Sequence, residues 1–130
     1  MPGNLNDNVK TVKGIAPQAA STAVNGNGID RSGYNYAVVA CETGATTGTP
    51  TSTSVAFKVQ DSADNTTFAD VSSATVTIAD AAHGEVNVDL RGLRQYIRVV
   101  ATPTFVGGTS PTVQISASVV LGDAVVRPAN

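Results

Sequence analysis

Acid–base or nucleophilic chemistry in this chain would have to run through very few groups. His83 is the single histidine, Cys41 the single cysteine, and Glu42 and Glu85 the only glutamates. His83 lies in the stretch Ala79-Asp80-Ala81-Ala82-His83-Gly84. A Ser-His-Asp relay built on it would draw on ten serines and eight aspartates, but no Gly-x-Ser-x-Gly elbow presents a nucleophile. His83 therefore reads as an exposed loop residue. Cys41 sits in the apolar run Ala37-Val38-Val39-Ala40-Cys41 and reads as a small buried hydrophobe, unable to form an intramolecular disulfide.

Metal and phosphate sites are equally thin. Zinc needs clustered Cys and His, which single copies cannot supply. Asp61, Asp64, Asn65 and Asp70 fall within ten residues, but they lack the bend glycine and closing glutamate of a calcium loop. Asp and Asn in such a place are turn formers. Gly44 and Gly48 have phosphate-loop spacing without the lysine that follows. Glu42 and Glu85 would have to serve any glycosidase-like acid pair, and each borders a strand as a solvated carboxylate would. The expectation is a protein with no catalytic residue, no metal and no cofactor.

The elements that would position any site are strands. Val (19), Ala (18), Thr (16), Gly (12) and Ser (10) dominate the 130 residues, whereas Leu is down to 4 and Trp is absent. Val and Thr suit a pleated surface, and scarce Leu, Glu and Lys leave little to build helices. A net charge of −2 with a pI near 5.1 gives no basic footprint for nucleic acid. The longest apolar run, five residues, is far short of the roughly 20 of a membrane helix. Met1-Pro2-Gly3-Asn4-Leu5-Asn6 lacks the basic and apolar regions of a secretory signal, so synthesis and use in a reducing or neutral compartment is expected.

Along the chain the hydrophobic period is two. Residues 1–28 read as a polar N-terminal arm followed by an edge segment, with Pro17 confining any strand over residues 9–24 to an edge or bulge. Asn25-Gly26-Asn27-Gly28 reads as a turn at positive φ, after which the globular part begins near Ile29. The apolar run from Tyr34 to Cys41 reads as a central strand and residues 43–53 as a loop. Val55, Phe57 and Val59 then alternate with Ala56, Lys58 and Gln60, and Phe68 is expected to return the chain to the core after a turn over residues 61–67. Val76 and Ile78 mark a short strand. Val86, Val88 and Leu90, then Ile97, Val99 and Ala101, then Val113, Ile115, Ala117, Val119 and Leu121 mark three further inner faces. The result is an all-β, antiparallel β-sandwich of jelly-roll type with an extended N-terminal arm. Its sandwich domain spans residues 29–122, and a C-terminal tail spans residues 123–130.

Two segments carry a family resemblance. Phe57-Lys58-Val59-Gln60-Asp61-Ser62-Ala63-Asp64-Asn65-Thr66-Thr67-Phe68-Ala69-Asp70-Val71 and Leu93-Arg94-Gln95-Tyr96-Ile97-Arg98-Val99-Val100-Ala101-Thr102 resemble a hairpin Q-x-S-x-D-x-x-x-F/W-x-x-V followed by R-Y-I/V-R-V. That combination is common in small β-sandwich decoration (cement) proteins of tailed-bacteriophage heads. The polar arm and the Val-Val-Leu-Gly ending are similar too. The resemblance implies a structural virion protein, made in the host cytoplasm, that binds the outer surface of the capsid and stabilises contacts between major capsid protein subunits. The same signatures also occur in discoidin-like carbohydrate-binding jelly rolls, so the alternative is a carbohydrate-binding or adhesion module on a virion surface. The chain departs from those in being short and in lacking Trp and paired cysteines.

In the decoration reading the partner is the major capsid protein, and self-association is expected, a dimer ahead of a trimer. Candidate contacts are Leu5, Val9 and Val12 in the arm, Tyr34 and Tyr36 as a strand stripe that could equally be core, and Arg127 in the tail. The first twelve residues have no core role in this reading, so their deletion is expected to leave the sandwich folded.

Overall fold

The computed structural model describes residues 9–124, and Leu5 and Arg127 lie outside them. Nine strands follow in order: β1 (Lys10–Ala20), β2 (Val24–Asn25), β3 (Ile29–Asp30), β4 (Tyr34–Thr47), β5 (Ser52–Ser62), β6 (Ala69–Ala79), β7 (His83–Asp89), β8 (Tyr96–Val106) and β9 (Thr112–Ala124). They form two antiparallel sheets, one ordered β1-β9-β4-β7 and one ordered β2-β8-β5-β6, with β3 also paired to β8. The pairs β1–β9, β2–β8, β4–β7 and β5–β6 nest inside one another, so the chain is one long hairpin wrapped across two sheets. That wrapping is the jelly roll.

Alternation builds the core. Val55, Phe57 and Val59 of β5, with Ile97 and Val99 of the neighbouring β8, join Val39 of β4 and Val113, Val119 and Leu121 of β9 from the other sheet in one cluster, each at most 2% exposed. Fully burying each such side chain contributes about 1.5–3 kcal/mol. Leu90, at the end of β7, joins the same cluster.

Residues 9–24 behave as their proline demands. β1 is the outer strand of its sheet, and its pairing with β9 slips between Lys13 and Ile15 and again between Ile15 and Gln18, around Pro17. The core nevertheless begins earlier than Ile29, because Ile15 and Ala20 of β1 are 2% exposed within it. Val12, expected to stand free of the core, is half-buried and packs against it.

Gly26 and Gly28 differ from expectation in their reason for being glycine. Among the described residues the positive-φ glycines are Gly33, Gly48, Gly92, Gly107 and Gly108, not these two. Gly26 instead threads between the sheets: its N–H donates to Val99 O (2.7 Å), and Asn27 N–H donates to Gly14 O (3.2 Å). A Cβ on Gly26 would fall on the Gly14 carbonyl oxygen. This crossing closes one side of the sandwich.

Three further boundaries move. Residues 43–47, read as loop, continue β4, because Thr43 is buried at 4% and its hydroxyl donates to Ala79 O (2.6 Å) while accepting from Ala82 N (3.0 Å). The true loop, residues 48–51, packs against residues 106–111 through Thr51 N–Val106 O (2.7 Å) and Thr109 N–Gly48 O (2.9 Å). β9 runs on to Ala124, opposite Tyr34, so the strand consumes the first two residues of the expected tail. Phe68 is half-buried outside the core cluster, for a reason that involves Arg98.

Candidate interaction surfaces

The hairpin that joins β5 to β6 is tied by its own polar side chains. Ser62, fully buried, accepts from Asn65 N (2.9 Å) and Asp64 N (3.2 Å) and donates to Asp64 Oδ1 (2.9 Å). Asp64 Oδ1 also accepts from Thr66 N and Thr67 N, each at 2.9 Å. Those backbone donors, Thr67 first, pull the Asp64 carboxyl down to about 2. Asp61 accepts from Arg94 through Arg94 N (3.1 Å) and the guanidinium (2.9 Å), which hold its pKa below the ordinary value. Asp70 takes Gln60 Nε2 (2.8 Å) and pairs with Lys58 (3.1 Å), which lower it likewise. The acidic stretch of residues 61–70 therefore spends its oxygens on the protein itself, as turn formers do.

The second resemblance segment lies against the first. On the outer face of β8, Arg98 Nε donates to Gln60 Oε1 (2.8 Å) and the guanidinium lies over the Phe68 ring. Gln60, Ser62, Asp64 and Phe68 of the hairpin thus each answer to a partner in the hairpin or in β8. Phe68 was expected in the core, but it lies half-buried on the outer face. The structure pairs it with Arg98.

The opposite sheet presents a broader surface. Pairing sets its outward side chains in rows: His83–Glu42–Ser116, then Glu85–Ala40–Ser118–Lys13, then Asn87–Val38–Val120–Thr11, then Asp89–Tyr36–Gly122. Small side chains leave a shallow concavity of about 710 Å³ over the first two rows, lined by Ala40, Glu42, His83, Glu85, Ser116 and Ser118. Cys41 borders it from the inner face, 2% exposed, and burial pushes its thiol up to about 12. A thiol in that state is neutral and no nucleophile. Among the described residues, no group of three or more His, Cys, Asp and Glu is placed to hold a metal ion.

The two tyrosines do not make one stripe. Tyr34 is 8% exposed and belongs to the core cluster, which removes it as a contact residue. Tyr36 is 41% exposed, with the Arg91 guanidinium 5.1 Å from its ring centroid. Arg91 in turn holds Asp89 through Nε–Oδ1 (3.0 Å) and a terminal nitrogen to Oδ2 (2.9 Å). Val9 is half-buried, its Cγ1 beside Gly122 at the foot of the same face. Of the candidate contacts, the structure therefore gathers Val9 and Tyr36 at one end of this sheet and sends Val12 and Tyr34 to the core.

No protein-family model matches the chain, and no curated protein matches it. Among solved structures it is similar to the SPBc2 prophage-derived protein YomS, with a TM-score of 0.49 and 13% identity over 86% of this chain and 92% of that one. It is similar also to a chain from the disulfide-linked pili of Bacillus endospore appendages, with a TM-score of 0.47 and 15% identity over 94% and 96% of the two chains. A third is a chain of Desmodium yellow mottle tymovirus, at 0.35 and 11% identity over 100% and 97%. The jelly-roll assignment rests on the strand pairing itself.

Arg91 and Lys13 escaped the sequence reading. Arg91 belongs to a turn whose folding back over Tyr36 no periodicity announces. Lys13 falls within the expected irregular edge segment of residues 9–24, and only the β1–β9 ladder places it beside Ser118 on the sheet's outer face.

Proposed function

We propose that this chain is a structural virion protein that binds the outside of a tailed-phage head and stabilises contacts between major capsid protein subunits. The observation that carries the reading is the meeting of the two resemblance segments. The hairpin and the Tyr-Ile-Arg-Val strand form neighbouring strands of one sheet, locked by Arg98 to Gln60 and Phe68 and by Arg94 to Asp61. What resembles a decoration protein is thus one interlocked unit, with the other sheet's outer face left open around Tyr36.

In this reading the work is contact and not catalysis. A rigid plate with a broad outer sheet face spreads modest binding over many copies, where avidity multiplies weak single contacts. Heads assembled with and without the protein test it. The expected result is stoichiometric retention on heads and a loss of thermal or osmotic resistance in its absence. Glycan-array binding, together with equally robust heads lacking the protein, would instead identify a carbohydrate-binding module.

A further inference from the structure

We propose that copies of this chain associate head to tail, the outer edge of β1 adding to the outer edge of β7 of the next copy, so that the four-stranded sheet continues from molecule to molecule. The two edges of this sheet are unlike. β1 carries exposed Lys10 and Lys13, whereas β7 carries exposed Glu85 and Asp89. Among the described residues the ion pairs are Lys58–Asp70, Arg91–Asp89 and Arg94–Asp61, which leave Lys13 and Glu85 without one.

Register brings these two charges into line. Lys13, Ser118, Ala40 and Glu85 form one row across the sheet, so the cation and the anion stand at opposite ends of the same row. The span is three strand-to-strand steps, about 14 Å. A copy placed beside the first, with its sheet continuing the row, sets Lys13 directly opposite Glu85. Thr11 then faces Asn87 and Val12 faces Val86, so polar residues meet on the outer face and apolar residues on the inner one. Strand direction agrees as well. β1 and β4 run one way and β9 and β7 the other, so an incoming β1 lies antiparallel to β7 without rotation of the copy.

Both edges have room. On β1, among the described residues, the bonds from outside the ladder are Asn27 N to Gly14 O and Gln18 Nε2 to Ala16 O, which leave residues 10–13 open. Beside β7, a groove of about 440 Å³ opens at Asn87, Val88 and Asp89, bounded by the bulge of β6 at Val71–Ala74. Lysines on an edge strand ordinarily guard against pairing. Here they guard against one partner in particular, since two β1 edges would bring lysines together, while the β7 edge answers them. The contact is heterologous, so it produces rings or chains and not a closed two-fold dimer. It stands on sheet geometry and the charges of the two edges, and it holds whether or not the protein binds a capsid.

Sedimentation of the purified chain from micromolar to millimolar concentration tests it, with growth beyond dimers expected. Lys13→Glu and Glu85→Lys should each weaken association roughly tenfold, and the double variant should restore it. In a Cys41→Ser background, Lys13→Cys with Glu85→Cys should yield a ladder of oxidised oligomers, and Lys13→Cys alone none. Amide exchange of the unmodified protein supplies a readout free of substitutions: residues 10–13 and 86–88 should gain protection as concentration rises. A monomer at every concentration with unchanged exchange, or dimers cross-linked by Lys13→Cys alone, would overturn the proposal.

Discussion

Arg98 lies over Phe68 with its guanidinium carbon 4.2 Å from the ring centroid, while its Nε donates to Gln60 Oε1 at 2.8 Å. One cation thereby clamps the β5–β6 hairpin to the face of β8. Replacing Arg98 by Ala should cost about 1–2 kcal/mol of unfolding free energy, the sum of a stacked cation and one hydrogen bond. Lys at that position should recover little, because an ammonium offers neither the plane nor the fork. A double-mutant cycle with Phe68→Leu, read by denaturant melts, should return a coupling of about 0.5–1 kcal/mol.

Gly26 and Gly92 separate two reasons for glycine. At Gly26 an added methyl meets the Gly14 and Val99 carbonyls, so Gly26→Ala should cost about 2–3 kcal/mol by forcing the crossing segment outward. At Gly92, with φ +89° and nothing within 4 Å, Gly92→Ala should cost only about 1–2 kcal/mol of backbone strain. Thermal melts of the two variants should rank them in that order.

Asp64 sets an acid limit. Its carboxyl is lowered from 3.8 to about 2 in the folded chain, so the ionised form is favoured by folding. The resulting stability is complete above pH 3.8 and is lost as pH falls toward 2. An Asp64→Asn variant keeps an acceptor oxygen but no charge. Its deficit relative to the parent protein should therefore be largest above pH 4 and shrink across that window in acid-titrated melts.

Cys41 should be silent. Its burial and raised pKa predict negligible labelling by a thiol reagent in the folded protein at neutral pH, and one equivalent once denaturant is added. Rapid native labelling would mean that the sheet opens at Cys41.

The fold was legible wherever one face is buried and the other wet. Val86, Val88 and Leu90, and the run from Val113 to Leu121, alternate cleanly because their strands have a core on one side only. Residues 43–47 were not legible, since Gly, Thr and Ala spell loop as readily as strand until Thr43 finds the carbonyls of the β6–β7 connection. Phe68 was misplaced because an aromatic after a turn points to the core unless a cation waits on the neighbouring strand. The Tyr34 and Tyr36 stripe failed for a related reason: at the end of β4, burial follows what packs there, and the two-residue period does not report it. On the candidate surface, Tyr36 was readable as an aromatic with no assured place in the core. The rows around it join residues far apart in sequence, and only pairing reveals them.

The nested hairpin also bears on the order in which the chain is made. β9 lies between β1 and β4, so the four-stranded sheet lacks an inner member until the last strand has been synthesised. The neighbouring sheet needs nothing beyond β8. During synthesis, β2, β5, β6 and β8 can therefore pair first, while β1 and the β9-facing edge of β4 wait unpaired. Nascent chains halted before Thr112 should accordingly be those most prone to aggregate, and release of β9 should be the event that makes them protease-resistant.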